Sequence, residues 1–388
     1  MKLVHLLLVS FLALPTLVMA EVESTTQQSS QAELSIQQCA WPLWQRFKDN
    51  YIKDGRVVDD SESRDITTSE GQSYGMFFAL VANDQKAFDS LLEWTEINLS
   101  DGDLTAHLPS WLWGTLPTGE KGILDYNTAS DSDLWIAYNL VEAGRLWDNY
   151  YYQTLGYAIA ARILKEETIE IENYGTVLLP GRTGFVSDKN HVRLNPSYLP
   201  MQLLVRMQAL YPDNQWQGLI DSSNKLLLGS MPMGFSPDWV EVTANGLQTD
   251  TATQGIGSYN AIRTYLWAGL LSDQSSHKAP LIKAMQPLIE VLKETNAMPE
   301  TLNANDGSYQ GNAGLGLTAA ITPLLMASGE TNLAKQIFNG TQDNLASIEH
   351  EHYYQSVLML FAQGWMNKLY QFDAQGRVIP NWLTSCQK

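Results

Sequence analysis

Residues 129–147 read ASDSDLWIAYNLVEAGRLW. Two aspartates precede an apolar run whose Leu134, Ile136, Leu140 and Leu146 mark the buried side of a helix. Asp131 or Asp133 stands where a helix cap is expected. The same spacing also puts two acidic side chains at the mouth of a helical scaffold, one of them directed at a site. Upstream, residues 67–80 read TTSEGQSYGMFFAL. Thr67 with Glu70, or Ser69 with Gln72, has the spacing of a capping box. Glu70 also precedes a run of tyrosine, methionine and two phenylalanines. A carboxyl group lodged among such side chains loses hydration, its pKa rises, and it becomes a proton donor near neutrality.

Outward from these two stretches, helical periodicity dominates from residue 41 onward. It predicts about twelve helices, near 41–51, 71–83, 85–98, 132–146, 151–166, 197–211, 214–229, 258–271, 278–295, 313–327, 331–343 and 351–368. Long connections separate some of them, at 99–130, 167–196, 230–257 and 296–312, and connections of that length usually build a functional surface. Strand-like TIEIENY and GTVLLPG fall in one, and the chain closes on a hairpin-like YQFDAQGRVIPNW. No fixed-period repeat and no Pro- or Ser-rich linker divides the chain, so residues 39–388 form one domain, an all-α scaffold with its function on its loops.

The N-terminus, MKLVHLLLVSFLALPTLVMA, has a basic Lys2, an apolar run and a small residue at a cleavage point, so residues 1–20 read as a secretory signal peptide. Residues 21–38 are polar and form a flexible lead-in. No second apolar run of membrane length follows, which leaves no anchor after signal cleavage and an exported, periplasmic or secreted protein. Cys39 and Cys386 stand at opposite ends of what remains. A disulfide between them would stabilise by up to about 5 kcal/mol in the chain-entropy view; two free thiols are the alternative.

A net charge of −18 and only 24 Lys and Arg exclude a nucleic-acid partner. There is no His-Glu-x-x-His, no Cys-x-x-Cys, no P-loop and no Gly-x-Ser-x-Gly, and GNAGLG at 311–316 lacks the dinucleotide order, so neither a metal nor another cofactor is expected. Carboxylates and aromatics remain plentiful, with 12 Trp and 17 Tyr. That pairing suits glycoside hydrolysis, in which two carboxyl groups flank a bond between rings that pack on aromatic faces.

TSEGQSYGMFFAL, ASDSDLWIAYNLVEAGRLW, NPSYLP, GFSPDW, SYNAIRTYLW and FAQGW together resemble glycoside hydrolase family 8, and within it the exported endoglucanases that accompany bacterial cellulose synthase. The resemblance runs from about Cys39 to Cys386. It implies an (α/α)6 barrel with long loops and a few short strands, hydrolysis of internal β-1,4-glucosidic bonds with inversion, a β-1,4-glucan (cellulose) chain as ligand, and the cellulose synthase export complex as a partner. It also implies that Glu70 is the general acid. Asp131 matches the first aspartate of the family signature, a position described both as a catalytic carboxylate or nucleophile and as a residue gripping the sugar. A covalent nucleophile conflicts with inversion, so substrate distortion and charge stabilisation are the expected role. Trp111 and Trp113 resemble the aromatic platform of the glucan groove, with core packing as their alternative. Tyr198, Tyr259 and Arg263 resemble polar groups around the cleaved sugar.

One position departs from the pattern. The main branch of the family has aspartate, its proposed base, where this chain has Asn260. An amide cannot accept that proton at neutral pH. Three readings follow: another carboxylate takes over, such as Asp131, Glu241 or Asp250; Asn260 positions water in a slow enzyme; or the protein binds glucan without cutting it. Xylan, lichenan and chitosan remain alternative substrates, and the acidic surface favours polycationic chitosan.

Overall fold

A computed structural model describes residues 40–343, apart from 60, 62 and 213, and residues 353–384. The expected signal peptide and lead-in, Cys39 and Cys386 lie outside the described residues. The helices alternate strictly between two environments. Six rods are buried on nearly every side: α2 (Ser69–Val81), α4 (Ser130–Leu146), α6 (Met201–Leu210), α8 (Ala261–Leu270), the pair α11 (Leu315–Ala320) and α12 (Thr322–Ala327), and α14 (Tyr353–Met366). Six bury one stripe only: α1 (Pro42–Tyr51), α3 (Gln85–Leu99), α5 (Tyr150–Glu166), α7 (Asn214–Gly229), the pair α9 (Lys278–Ala284) and α10 (Gln286–Thr295), and α13 (Thr331–Asp343). Sequence dictates this division. In α2 everything but Glu70 is buried and the helix carries no other charge, whereas α3 spaces Phe88, Leu91, Leu92, Thr95 and Leu99 along one face among polar residues. An inner ring of six helices inside an outer ring of six is an (α/α)6 barrel.

Among the described residues twelve rods are therefore present, as periodicity predicts, but two are broken. Residues 278–295 kink at Met285 and residues 313–327 at Ile321, in each case two positions before a proline, Pro287 and Pro323. Proline lacks an amide hydrogen and crowds the carbonyl four residues back, so one turn of the ladder cannot continue.

Aromatic rings fill the barrel's middle. Phe361 lies 4.7 Å from Phe78 and 5.0 Å from Trp267, and Phe77 lies 5.0 Å from Trp135, all edge to face. Each such pair adds about 0.5–1.5 kcal/mol beyond its buried area. Because inner and outer helices alternate, all inner helices run the same way. Their C-terminal ends are closed by the hairpin of the strands Tyr370–Phe372 and Val378–Pro380, where Tyr138 donates to Gly376 O at 2.7 Å. Gly376 has φ +72° and would place a Cβ 1.9 Å from Gln202 O, so only glycine fits. The N-terminal ends carry the long loops, including the paired strands β1 (Thr67–Thr68) and β2 (Leu112–Thr115), and the sheet containing the strands His191–Leu194, Val240–Thr243 and Gly246–Thr249.

Candidate active site

The first turns of the inner helices converge at the loop-bearing end, and the local sequence explains which side chains are left free there. Neither capping box forms. Thr68 caps α2, accepting from Gly71 N at 3.0 Å, while Thr67 donates to Val57 O and Gln72 bonds Val57 N, Gly55 O and Thr95. With the capping duties on Thr68, Glu70 is released toward the barrel mouth. Likewise neither aspartate caps α4, whose preceding residue is Ala129; Asp131 instead accepts from its neighbour Ser132 N at 2.8 Å.

Arg263, 3% exposed, ties the site together. Its Nη1 donates to Glu70 Oε2, to Asp131 Oδ2 at 3.3 Å and to Tyr74 Oη at 3.2 Å. Its Nη2 donates to Asn260 Oδ1 at 2.9 Å and to Ser197 Oγ at 3.2 Å. The guanidinium carbon stands 5.6 Å from the centre of the Tyr198 ring. A planar fork of donors can hold this many acceptors at once; a lysine ammonium cannot. Glu70 is pushed up to about 7, above all by loss of hydration; Arg263 pulls it down and Asp131 pushes it up. Asp131 is raised too, again by burial, against the restraint of Arg263 and the Ser132 amide. Glu70 keeps 23% of its side chain exposed and so reaches a ligand, whereas Asp131 has only 3%. Because both carboxylates bond the same nitrogen, their nearest oxygens lie within about 6 Å, too close for a water between an inverting acid and base.

The remaining predicted residues divide. Trp111 adjoins Glu70, since its carbonyl accepts from Ser69 N at 3.0 Å, and the residue is partly buried. Trp113 follows a register shift in the pairing of β2 with β3 (Lys121–Asp125). Its ring is held by Arg56 and Lys121 at 4.9 and 5.7 Å and by the edge of Trp94. Tyr259 is 48% exposed, and its carbonyl accepts from Tyr354 Oη at 2.6 Å. Glu241 and Asp250 are both committed elsewhere: Glu241 to His191 at 2.8 Å and the Thr251 amide at 2.9 Å, Asp250 to Arg193 at 2.7 Å and Thr253 at 2.8 Å. These partners hold both carboxyls below their usual range.

Sequence reasoning passed over several neighbours. Ser197, Tyr74 and Tyr354 surround Arg263 or Tyr259, and burial pushes both tyrosine hydroxyls upward, so they remain neutral. Asp238, inside GFSPDW, accepts through Oδ1 from the amides of Ser258 and Ala261, on either side of Asn260, and burial raises its pKa. Behind Asp131 lies a second acidic pair. Asp133 and Glu167 are fully buried and each carboxyl acts electrostatically on the other, with Thr128 donating to Glu167 Oε1 at 2.5 Å. Loss of hydration pushes Glu167 up to about 8 and raises Asp133 as well, so Glu167 keeps its proton at neutral pH. The spacing of Asp131 and Asp133 was the signal available for the latter; nothing local to Glu167 marks it.

Comparison with known proteins agrees with this geometry. The profile of Glycosyl hydrolases family 8 matches residues 23–368. An endoglucanase of Escherichia coli strain K12 is 41% identical over 353 residues, covering 90% of this chain and 93% of its own. The crystal structure of an endo-1,4-D-glucanase from Vibrio fischeri ES114 superposes with a TM-score of 0.87 at 54% identity, covering 89% of this chain and all of its own. The endo-β-1,4-glucanase CMCax from Acetobacter xylinum superposes at 0.68 with 27% identity, covering 83% and 96%. Among the described residues, no helix is long and apolar enough to cross a membrane.

Proposed function

As the chain belongs to glycosyl hydrolase family 8, we propose that it is an endo-β-1,4-glucanase that cuts internal bonds of a glucan chain with inversion, using Glu70 as general acid. The observation that carries this reading is Glu70 itself: a carboxyl group at the barrel mouth, partly exposed, and held protonated to about pH 7 by its surroundings. It donates its proton to the glycosidic oxygen as the bond to the leaving sugar breaks. Asp131 and Arg263 act on the sugar at the cleavage point. Asp131 stabilises the positive charge that develops on the ring, and Tyr198, Tyr259 and Trp111 pack and orient neighbouring sugars.

Water must attack the opposite face, and the short separation between Glu70 and Asp131 argues against Asp131 as the base. Asn260 orients the water. We assign its proton to Asp238, whose carboxylate is bonded to the backbone on both sides of Asn260 and has a raised proton affinity. A signal peptide and the likeness to endoglucanases support export and a role in bacterial cellulose synthesis, in contact with its export complex.

The deciding experiment is reducing-end release from carboxymethyl-cellulose by the purified mature protein, with Glu70→Gln as the blank. Activity above the blank supports the glucanase. Activity confined to chitosan or xylan reassigns the substrate. Binding without any activity would fit Asn260 in a glucan-binding component.

A further inference from the structure

A cavity of about 410 Å³ opens far from the barrel mouth. It is lined by Tyr150, Gln153, Thr154 and Tyr157 of α5 and by Arg145 and Tyr211 from the ends of two inner helices. Arg145 lies fourteen residues beyond Asp131 on the same helix, or about 21 Å along it at 1.5 Å per residue. The cavity is therefore near the end of the barrel that the C-terminal hairpin closes, where Arg145 donates to Val378 O at 2.7 Å.

Its tyrosines are unusually open. Tyr150 is 80% and Tyr157 55% exposed, although large aromatic rings ordinarily bury most of their surface. Tyr157 is braced by Tyr211, with ring centres 4.8 Å apart and planes at 68°. Residues seven apart on a helix lie on one face, two turns and about 10.5 Å along the axis. That is the interval at which an extended β-1,4-linked chain presents the same ring face again, because alternate glucosyl units are flipped. Between the two rings sit an amide and a hydroxyl, Gln153 and Thr154, with Arg145 beside them. Although the protein carries a net charge of −18, none of the described residues lining the cavity is a carboxylate. Arg145 and Arg206 both bond the one buried Glu142, which fixes their guanidinium groups as donors for neutral hydroxyls.

We propose that this face is a second glucan-binding site, on which Tyr150 and Tyr157 pack against alternate sugars of a β-1,4-glucan chain remote from the cleavage site. The choice of polymer rests on the glucanase reading above. Such a site holds a long or insoluble chain to the enzyme between cuts, while a short oligosaccharide that fills only the barrel mouth gains nothing from it.

The test measures adsorption of the full mature chain to amorphous cellulose, alongside hydrolysis of cellopentaose, for wild type, Tyr150→Ala/Tyr157→Ala and Tyr150→Phe/Tyr157→Phe. The alanine pair is expected to weaken adsorption about tenfold, roughly the 1.4 kcal/mol of one lost pair of ring contacts. It is expected to leave kcat on cellopentaose within twofold, and the phenylalanine pair is expected to adsorb like wild type. Adsorption unchanged in the alanine pair overturns the site, and so does an equal loss on cellopentaose. If wild type adsorbs through these tyrosines yet cuts no glucan, the glucanase reading fails while the second site stands.

Discussion

Asn260 Oδ1 accepts from Arg263 Nη2 at 2.9 Å, and that bond fixes the charge balance of the catalytic end. With Glu70 protonated, the Arg263 cation faces a single carboxylate, Asp131, and the group is neutral. An aspartate at position 260 would make a second ion pair with Arg263 and bring one more negative charge beside Glu70. Asn260→Asp is therefore expected to raise the Glu70 pKa above about 7 and to add a base beside the attacking water. A well-placed base contributes about 10²- to 10⁴-fold, of which at least ~10-fold should be recovered here. Kinetics on carboxymethyl-cellulose across pH 5–9 check both effects; an unchanged kcat would mean that water activation does not limit the rate.

Glu70 works only while it holds its proton. Its pKa near 7 predicts that kcat/KM falls tenfold per pH unit above about pH 7, and that Glu70→Gln loses about 10²- to 10⁴-fold below pH 7 and no longer shows that alkaline limb. The raised pKa also bears on folding. The native state binds the proton more tightly than the unfolded chain, so the contribution of Glu70 to stability is greatest below the ordinary carboxyl pKa and is lost as pH rises through about 7. Denaturation of Glu70→Gln at pH 5 and pH 8 should show that this part of the slope has gone.

The barrel was legible in the chain because about twelve helix-length apolar segments, some apolar all round and others striped, have few other ways to be buried. Its breaks at Met285 and Ile321 were not drawn, although Pro287 and Pro323 mark them, since periodicity continues across a kink. Glu70 stood out by its aromatic surroundings, yet the sequence offered it capping partners that the fold assigns to Thr68. Trp111 and Trp113 look alike in sequence; a one-residue shift of register between Leu112 and Trp113 marks the strand whose second ring stands against Arg56 and Lys121. Glu241 and Asp250 were reasonable carboxylates until the sheet brought His191 and Arg193 beside them. Partners supplied by distant strands leave no trace in local spacing.

The Asp133–Glu167 pair yields a stability prediction. Both carboxyls are buried and raised, so between about pH 4.5 and 8 the folded protein holds a proton that the unfolded chain releases, and stability falls as pH rises. Glu167→Gln keeps an oxygen for Thr128 and replaces the carboxyl proton of Glu167 with amide hydrogens that do not titrate. The variant is expected to flatten the slope and to gain on the order of 1 kcal/mol at pH 8, a rise of a few degrees in Tm. Thermal unfolding at pH 5 and pH 8 checks it; a loss at both would show that the glutamate is needed ionised.

Asp238 gives the sharpest test of how water is activated. Its Oδ1 anchors the start of α8 through the Ser258 and Ala261 amides, so alanine there would disturb the helix and with it Asn260 and Arg263. Asparagine retains an oxygen acceptor for both amides but cannot take a proton. Asp238→Asn is expected to lower kcat about 100-fold or more with KM changed less than threefold, and to abolish the acidic limb of the pH profile while leaving the alkaline limb of Glu70 in place. The double variant Asp238→Asn/Asn260→Asp moves the carboxylate to the neighbouring position and should restore much of the rate. A role confined to helix anchoring predicts instead that Asp238→Asn retains kcat, and that outcome would return the proton to Asn260-bound solvent in a slow enzyme.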